Sequence, residues 1–213
     1  MLDNFELAEA PAPASLSTGE VWFRALSSPK VETFKKLILQ EDSPARKALY
    51  WLFIAGGFGG LLAGLLAAAF NQGVRNPSPA GEISSGAVLG ALLGAALFSI
   101  GAPLITVINT WLIQLIVRRL GGKTNFTQLL FAFAIYQAPL LLLICILVAI
   151  PTIGCLVVPL TGYWLVLSVL AVQAACELDM GKAVLCSLAP FGLGGVFGVC
   201  ALLLALTSAI EFT

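Results

Sequence analysis

The side chains best placed to do chemistry in this sequence are neutral amides and hydroxyls inside apolar segments. Thr106, Asn109, Thr110 and Gln114 fall within an arc of about 140° on a helix that turns 100° per residue. Tyr136, Gln137 and Gln173, in later apolar segments, complete a candidate polar seam. Such groups either hydrogen-bond between helices, at about 0.6 to 2 kcal/mol per contact, or line a small polar cavity for a lipid headgroup or a solute. The sequence has no histidine, the commonest general base and metal ligand. Cys145, Cys155, Cys176, Cys186 and Cys200 contain no C-x-x-C pair and sit in or beside apolar stretches, where a thiol behaves as a small apolar group. A Cys145–Cys155 disulfide is the alternative that spacing leaves open. No Asp, Glu, Lys or Arg lies deep in an apolar segment; Arg118, Arg119, Glu177 and Asp179 stand at the edges. Proton relays and ion-coupled pumps need such groups. The sequence therefore leads us to expect no catalytic residue, no cofactor and no metal site.

Positioning these groups falls to segments that cannot be meant for water. Hydrophobic residues make up 59% of the 213 and charged ones only 10%, against roughly a quarter charged in a soluble domain. Eleven basic and eleven acidic residues cancel, so net charge points to no nucleic acid or other strongly charged partner.

A membrane-spanning helix needs about twenty mostly apolar residues. Five stretches qualify, at about 48–70, 84–117, 128–150, 156–175 and 183–210. The second is long: about 32 helical residues reach some 48 Å, against a hydrocarbon core of about 30 Å. It is either one tilted helix kinked at Pro103 or two short spans turning at Gly101-Ala102-Pro103. Charge decides. With five spans, Arg24, Lys30, Lys35, Lys36, Arg46, Lys47, Arg118, Arg119, Lys123 and Lys182 lie on one side and only Arg75 on the other. Basic residues are held on the cytoplasmic side, so the N-terminus is expected inside and the C-terminus outside. The fold class is all-α, a polytopic bundle of five transmembrane helices.

Residues 1–27 read as a flexible cytoplasmic tail. Met1 to Glu20 has four acidic residues, no basic flank and no apolar run, and does not read as a signal peptide. Residues 28–47 read as an amphipathic helix and linker, with Ser28 as N-cap and Pro29 in the first position. Val31, Phe34, Leu37 and Ile38 share one face, and Lys30, Glu32, Lys35 and Lys36 the other. That pattern suits a helix lying in the cytoplasmic interface with its lysines near anionic headgroups. Tyr50 and Trp51, with Tyr163 and Trp164, read as aromatic anchors at the span edges. The membrane domain is 48–213.

Small residues recur at four-residue spacing. Gly56, Gly60 and Gly64 line one face of the first span, Gly86, Gly90 and Gly94 one face of the second, and Gly194 with Gly198 one face of the fifth. Glycine lets helix backbones approach closely in lipid, so these faces are expected to be packing seams. Pro103, Pro139, Pro159 and Pro190 are expected to kink their helices.

From the third span onward the chain resembles a known family. Leu120-Gly121-Gly122-Lys123-Thr124-Asn125-Phe126, then Tyr136-Gln137-Ala138-Pro139, is similar to the core of Yip-type membrane proteins, named for interacting with Ypt/Rab GTPases. Pro151 and Gly154 between spans, Tyr163-Trp164-Leu165, and Gly181-Lys182-Ala183 with Pro190 beyond continue the likeness, as does Ser28-Pro29 with Phe34 upstream. Glu177-Leu178-Asp179-Met180 departs from the family's serine-bearing loop. The resemblance covers about residues 25 to 200. It implies a five-span fold with the N-terminus inside and, in eukaryotic members, vesicle trafficking and membrane shaping. The short cytoplasmic region, about 47 residues, points to a prokaryotic relative in a bacterial cytoplasmic membrane.

The expected function is a non-enzymatic membrane adaptor or scaffold that binds other integral membrane proteins and membrane lipids. A homo-oligomer is compatible with it. The alternatives are an accessory subunit of a large respiratory or photosynthetic complex, and a small-solute or lipid transporter using the polar seam.

Overall fold

A serine three residues ahead of a glutamate starts the first helix. In this computed structural model, which describes residues 16–40, 44–75, 85–123, 125–150 and 153–190, Ser17 caps α1 (Thr18–Ser27). Its hydroxyl accepts from the Glu20 amide at 3.3 Å, and the Glu20 carboxylate accepts from the Ser17 amide at 3.0 Å. This reciprocal box satisfies two amides that a helix start leaves unpaired. It corrects the expectation of a flexible tail over 1–27: Thr18–Ser27 is helical and buries Val21 and Ala25. The second helix, α2 (Val31–Leu39), begins at Lys30 as N-cap and not at Ser28, because Ser28 and Pro29 form the turn out of α1.

Four longer helices follow: α3 (Pro44–Arg75), α4 (Ser85–Arg119), α5 (Phe126–Ala149) and, after a short 3-10 turn at Gly154–Leu156, α6 (Val157–Cys176). Each supplies, the last together with its 3-10 turn, a stretch long and apolar enough to cross a membrane: Pro44–Ala69, Val88–Arg119, Phe126–Val148 and Gly154–Cys176. No strand occurs among the described residues. The long second span is a single helix that runs through Pro103, as charge required. A seventh helix, α7, occupies residues 180–190; the remainder of the expected fifth span, with Gly194 and Gly198, lies outside the described residues.

α5 is the centre. Its residues Leu129 to Tyr136 are all buried, and eight consecutive residues cover every direction around a helix. α1, α2, α3, α4 and α6 all touch it. Most of its neighbours are apolar, so dispersion between close-packed side chains holds the bundle where lipid supplies no hydrophobic drive.

The N-terminal pair packs against the bundle. Trp22 of α1 meets Trp51 edge-on, with centroids 5.7 Å apart, and Trp51 in turn packs on Phe131. Phe34 of α2 meets Tyr136 edge-on, ten residues past the start of α5. The Leu26 carbonyl accepts from the Tyr163 hydroxyl, and Tyr163 precedes the end of α6 by thirteen residues, about 20 Å at 1.5 Å per residue. α1 and α2 are therefore a hairpin standing along α5 and α6, its tip about two-thirds of the way up α6. The reason is in its apolar stripes: Val21 and Ala25 on α1, and Phe34, Leu37 and Ile38 on α2, are buried against protein. Arg24, Lys30 and Glu32 keep exposed side chains on the opposite face. Thus the hairpin carries charge to a depth where the spans themselves have none, with long stems able to carry the charged heads toward water.

Two aromatic anchors are corrected by the same contacts. Trp51 is buried, with the Lys47 ammonium 5.3 Å from its ring centroid. Tyr163 faces the hairpin. Both side chains pack against protein.

Candidate functional site

The polar seam is half assembled. The Thr106 hydroxyl lies 2.8 Å from the Gln137 side-chain oxygen and 2.9 Å from the Ala102 carbonyl, bonding α4 to α5. Thr106, Asn109 and Gln137 line a cavity of about 410 Å³ whose other walls are apolar, among them Leu52, Phe98, Leu140 and Trp164. Asn109 and Gln137 lie ten and eleven residues from the inner ends of their helices, so the cavity is near mid-depth at about 15 to 17 Å.

The other seam residues do not join it. The Thr110 hydroxyl turns back to the Thr106 carbonyl at 2.7 Å, a local bond common for threonine inside helices. Gln114 is buried nearer the inner end of α4 and does not line the cavity. Gln173 is half-buried on α6 and meets none of them. Tyr136 is fully buried between Phe34 and Phe133, and its hydroxyl makes no hydrogen bond among the described residues. Trp164, read from sequence as an edge anchor, lines the cavity instead.

The glycine seams divide by helix. A Cβ on Gly60 would lie 2.9 Å from the Gly94 carbonyl oxygen, and one on Gly64 would lie 2.6 Å from the Ala91 Cα. One on Gly56 would strike the Phe98 carbonyl. The α3 glycines therefore let α4 come into backbone contact. Gly94 meets only the Gly60 oxygen, at 3.6 Å, while Gly86 and Gly90 face open space. Sequence reasoning missed Gly57 and Gly59: the first faces Ser99 and the second admits Cys145 of α5, at 3.1 Å from its would-be Cβ. The doubled Gly-Gly pairs in α3 were the signal, since two faces need small residues where two helices approach. Cys145 and Cys155 are both free thiols.

At the inner end, the family-like residues have structural work. Gly121 has φ +78°, a region that costs an L side chain roughly 1–2 kcal/mol. Gly122 N–H donates to the Val117 carbonyl at 3.0 Å and Gly121 N–H to the Arg118 carbonyl at 3.4 Å, the paired bonds of a Schellman end. The Lys182 ammonium donates to the Leu120 carbonyl at 3.4 Å, adding a cation where carbonyls are left over. Ala183 is fully buried beside this corner and Phe126 packs on the core. Pro139 lies inside α5, and Gly154 opens the 3-10 turn. Pro190 is the last described residue of α7; Pro151 lies outside the described residues.

Between 48 and 69, 88 and 117, 126 and 148, and 154 and 176 there is no Asp, Glu, Lys or Arg, and no three metal-ligating side chains gather among the described residues. A covered central helix, four apolar helices of crossing length and a laterally placed apolar cavity define a polytopic α-helical membrane protein. The model of the Yip1 domain matches residues 23–202, and the chain belongs to that family. No curated protein and no solved structure matches it.

Proposed function

We propose that this protein is a non-enzymatic membrane adaptor that holds other integral membrane proteins against α4 and accommodates lipid around its bundle. The observation that carries the reading is the outer face of α4. Leu97, Leu104, Ile108 and Trp111 are exposed on it, and Gly86, Gly90 and Gly101 along the same face have nothing within 4 Å of a Cβ. At 100° per residue these seven fall within an arc of about 80°. A second transmembrane helix can approach such a surface closely, and close approach is what drives association in lipid. The basic residues on one side support a cytoplasmic N-terminus and an outer C-terminus.

The polar seam supports a transporter less well, because Gln114 and Gln173 stand apart from the cavity that Asn109 and Gln137 line. Purification of the full chain in mild detergent tests the adaptor reading. A protein in fixed stoichiometry is expected, and Gly90→Leu is expected to release it while leaving thermal stability unchanged. A chain that always purifies alone would overturn the reading.

A further inference from the structure

Where the hairpin meets the inner ends of α5 and α6, a second cleft of about 410 Å³ opens, within the ~300–1,000 Å³ typical of small-ligand sites. We infer that this cleft is a headgroup site for an anionic phospholipid of the inner leaflet, with Lys35 and Lys123 as its cationic recognition pair. The inference rests on the lipid half of the adaptor reading and gives it an address.

Chemistry and depth agree there. Lys35 comes from α2, and Lys123 precedes the Asn125 cap of α5. Neither lysine makes an ion pair or hydrogen bond among the described residues. Glu177 is the one acidic lining group among the described residues, and against Lys35 and Lys123 it leaves their sum net positive. Asn125 uses its side-chain oxygen on the Thr127 amide and hydroxyl, at 3.2 and 2.8 Å, which leaves its NH₂ to donate. Gln128 adds a second amide one turn further in. Two ammoniums and two NH₂ groups are donors suited to phosphate oxygens.

The remaining walls are apolar: Ile38 and Leu39 on one side, Ala174 and Ala175 on the other. A soluble anion has no use for those walls, whereas the glycerol and first methylenes of a lipid do. The cleft also stands at element ends, beside the last residue of α2, the cap of α5 and the end of α6, which is where headgroups meet a bundle. Lys36 and Arg46 share this boundary and are exposed, but they do not line the cleft.

Native mass spectrometry of the full chain in neutral detergent, titrated with dioleoylphosphatidylglycerol or dioleoylphosphatidylcholine, tests the inference. One tightly held phosphatidylglycerol is expected, with at least about tenfold preference over phosphatidylcholine. Lys35→Gln with Lys123→Gln is expected to lose about tenfold or more of that preference, at roughly 1 kcal/mol per surface cation. Lys36→Gln with Arg46→Gln is expected to change it less than about threefold. Equal losses in the two double variants would reduce the effect to general surface attraction and overturn the site. Displacement of the lipid by millimolar inorganic phosphate would overturn it in favour of a free anion. Thermal unfolding of each variant checks folding, and where Lys35→Gln with Lys123→Gln unfolds, Lys35→Arg with Lys123→Arg is expected to retain the preference. Loss of that preference in the arginine pair while it stays folded would also overturn the site. Stoichiometric protein capture through α4 does not depend on these lysines, so failure here leaves the adaptor reading separately testable.

Discussion

The Tyr163 hydroxyl donates to the Leu26 carbonyl across 137 residues of sequence, tying the tip of the N-terminal hairpin to α6 thirteen residues from its inner end. This contact sets how deep the hairpin stands. Because Leu26 is near the C-terminal end of α1, its carbonyl has no amide four residues on in the same helix, and the phenol supplies the missing donor.

Tyr163→Phe removes that donor while keeping the ring. A loss of about 1 kcal/mol is expected from one hydrogen bond, read as a lower midpoint in thermal unfolding in detergent. Labelling of a cysteine placed at Ser28, in a background stripped of native cysteines, is expected to quicken. Unchanged labelling would show that the bond does not hold the tip.

The two glycine series are expected to separate. Gly60→Leu forces α3 and α4 apart at the Gly94 carbonyl and is expected to destabilise by about 1–3 kcal/mol or more. Gly90→Leu adds its side chain to open space and is expected to leave monomer stability unchanged. Thermal unfolding of both variants in the same detergent makes the comparison.

At the end of α4, Gly121→Ala strains a residue at φ +78°, with an expected cost of about 1–2 kcal/mol. Gly121→Asn is expected to cost less, since asparagine tolerates that region better. Lys182→Met removes the ammonium that caps Leu120 and is expected to cost a few tenths to 1 kcal/mol. Chemical unfolding of the three variants ranks them.

Acid is expected to loosen α1. The hydrogen bonds from Ser17 to the Glu20 carboxylate, its backbone amide first, hold that carboxyl below its ordinary range. The stabilisation is therefore complete above the ordinary glutamate pKa and is lost as pH falls through the lowered value. Glu20→Gln keeps a capping acceptor without the titration, so the variant is expected to lose the acid transition in Trp22 fluorescence. An identical transition in both proteins would contradict the assignment.

Much of the bundle was legible because transmembrane helices announce themselves through local composition. The continuous helix through Pro103 followed from where Arg118, Arg119 and Lys123 had to lie. The Ser17-x-x-Glu20 box was also in the sequence, followed by Val21, Trp22 and Ala25 at helical spacing, but a tail rich in acid and proline masked it. What sequence could not supply was partnership. Gly60 and Gly90 look alike along the chain, and only the approach of α4 distinguishes them. Phe34 and Lys35 read the same for a helix on a membrane and a helix on a protein, because both bury one apolar stripe. Thr106 met Gln137 while Gln173 met no member of the seam, a difference set by helix rotation and not by residue type.

Depth of the hairpin is most directly measured by pulsed electron paramagnetic resonance between spin labels at Ser28 and Gly162, next to Tyr163 on α6. The account predicts a distribution centred below about 20 Å, since the tip and Tyr163 are in contact. A hairpin lying flat at the inner boundary would leave the labels separated by the ~20 Å that thirteen residues of α6 span plus their lateral offset. A distribution centred beyond about 30 Å would contradict a hairpin that stands inside the bundle.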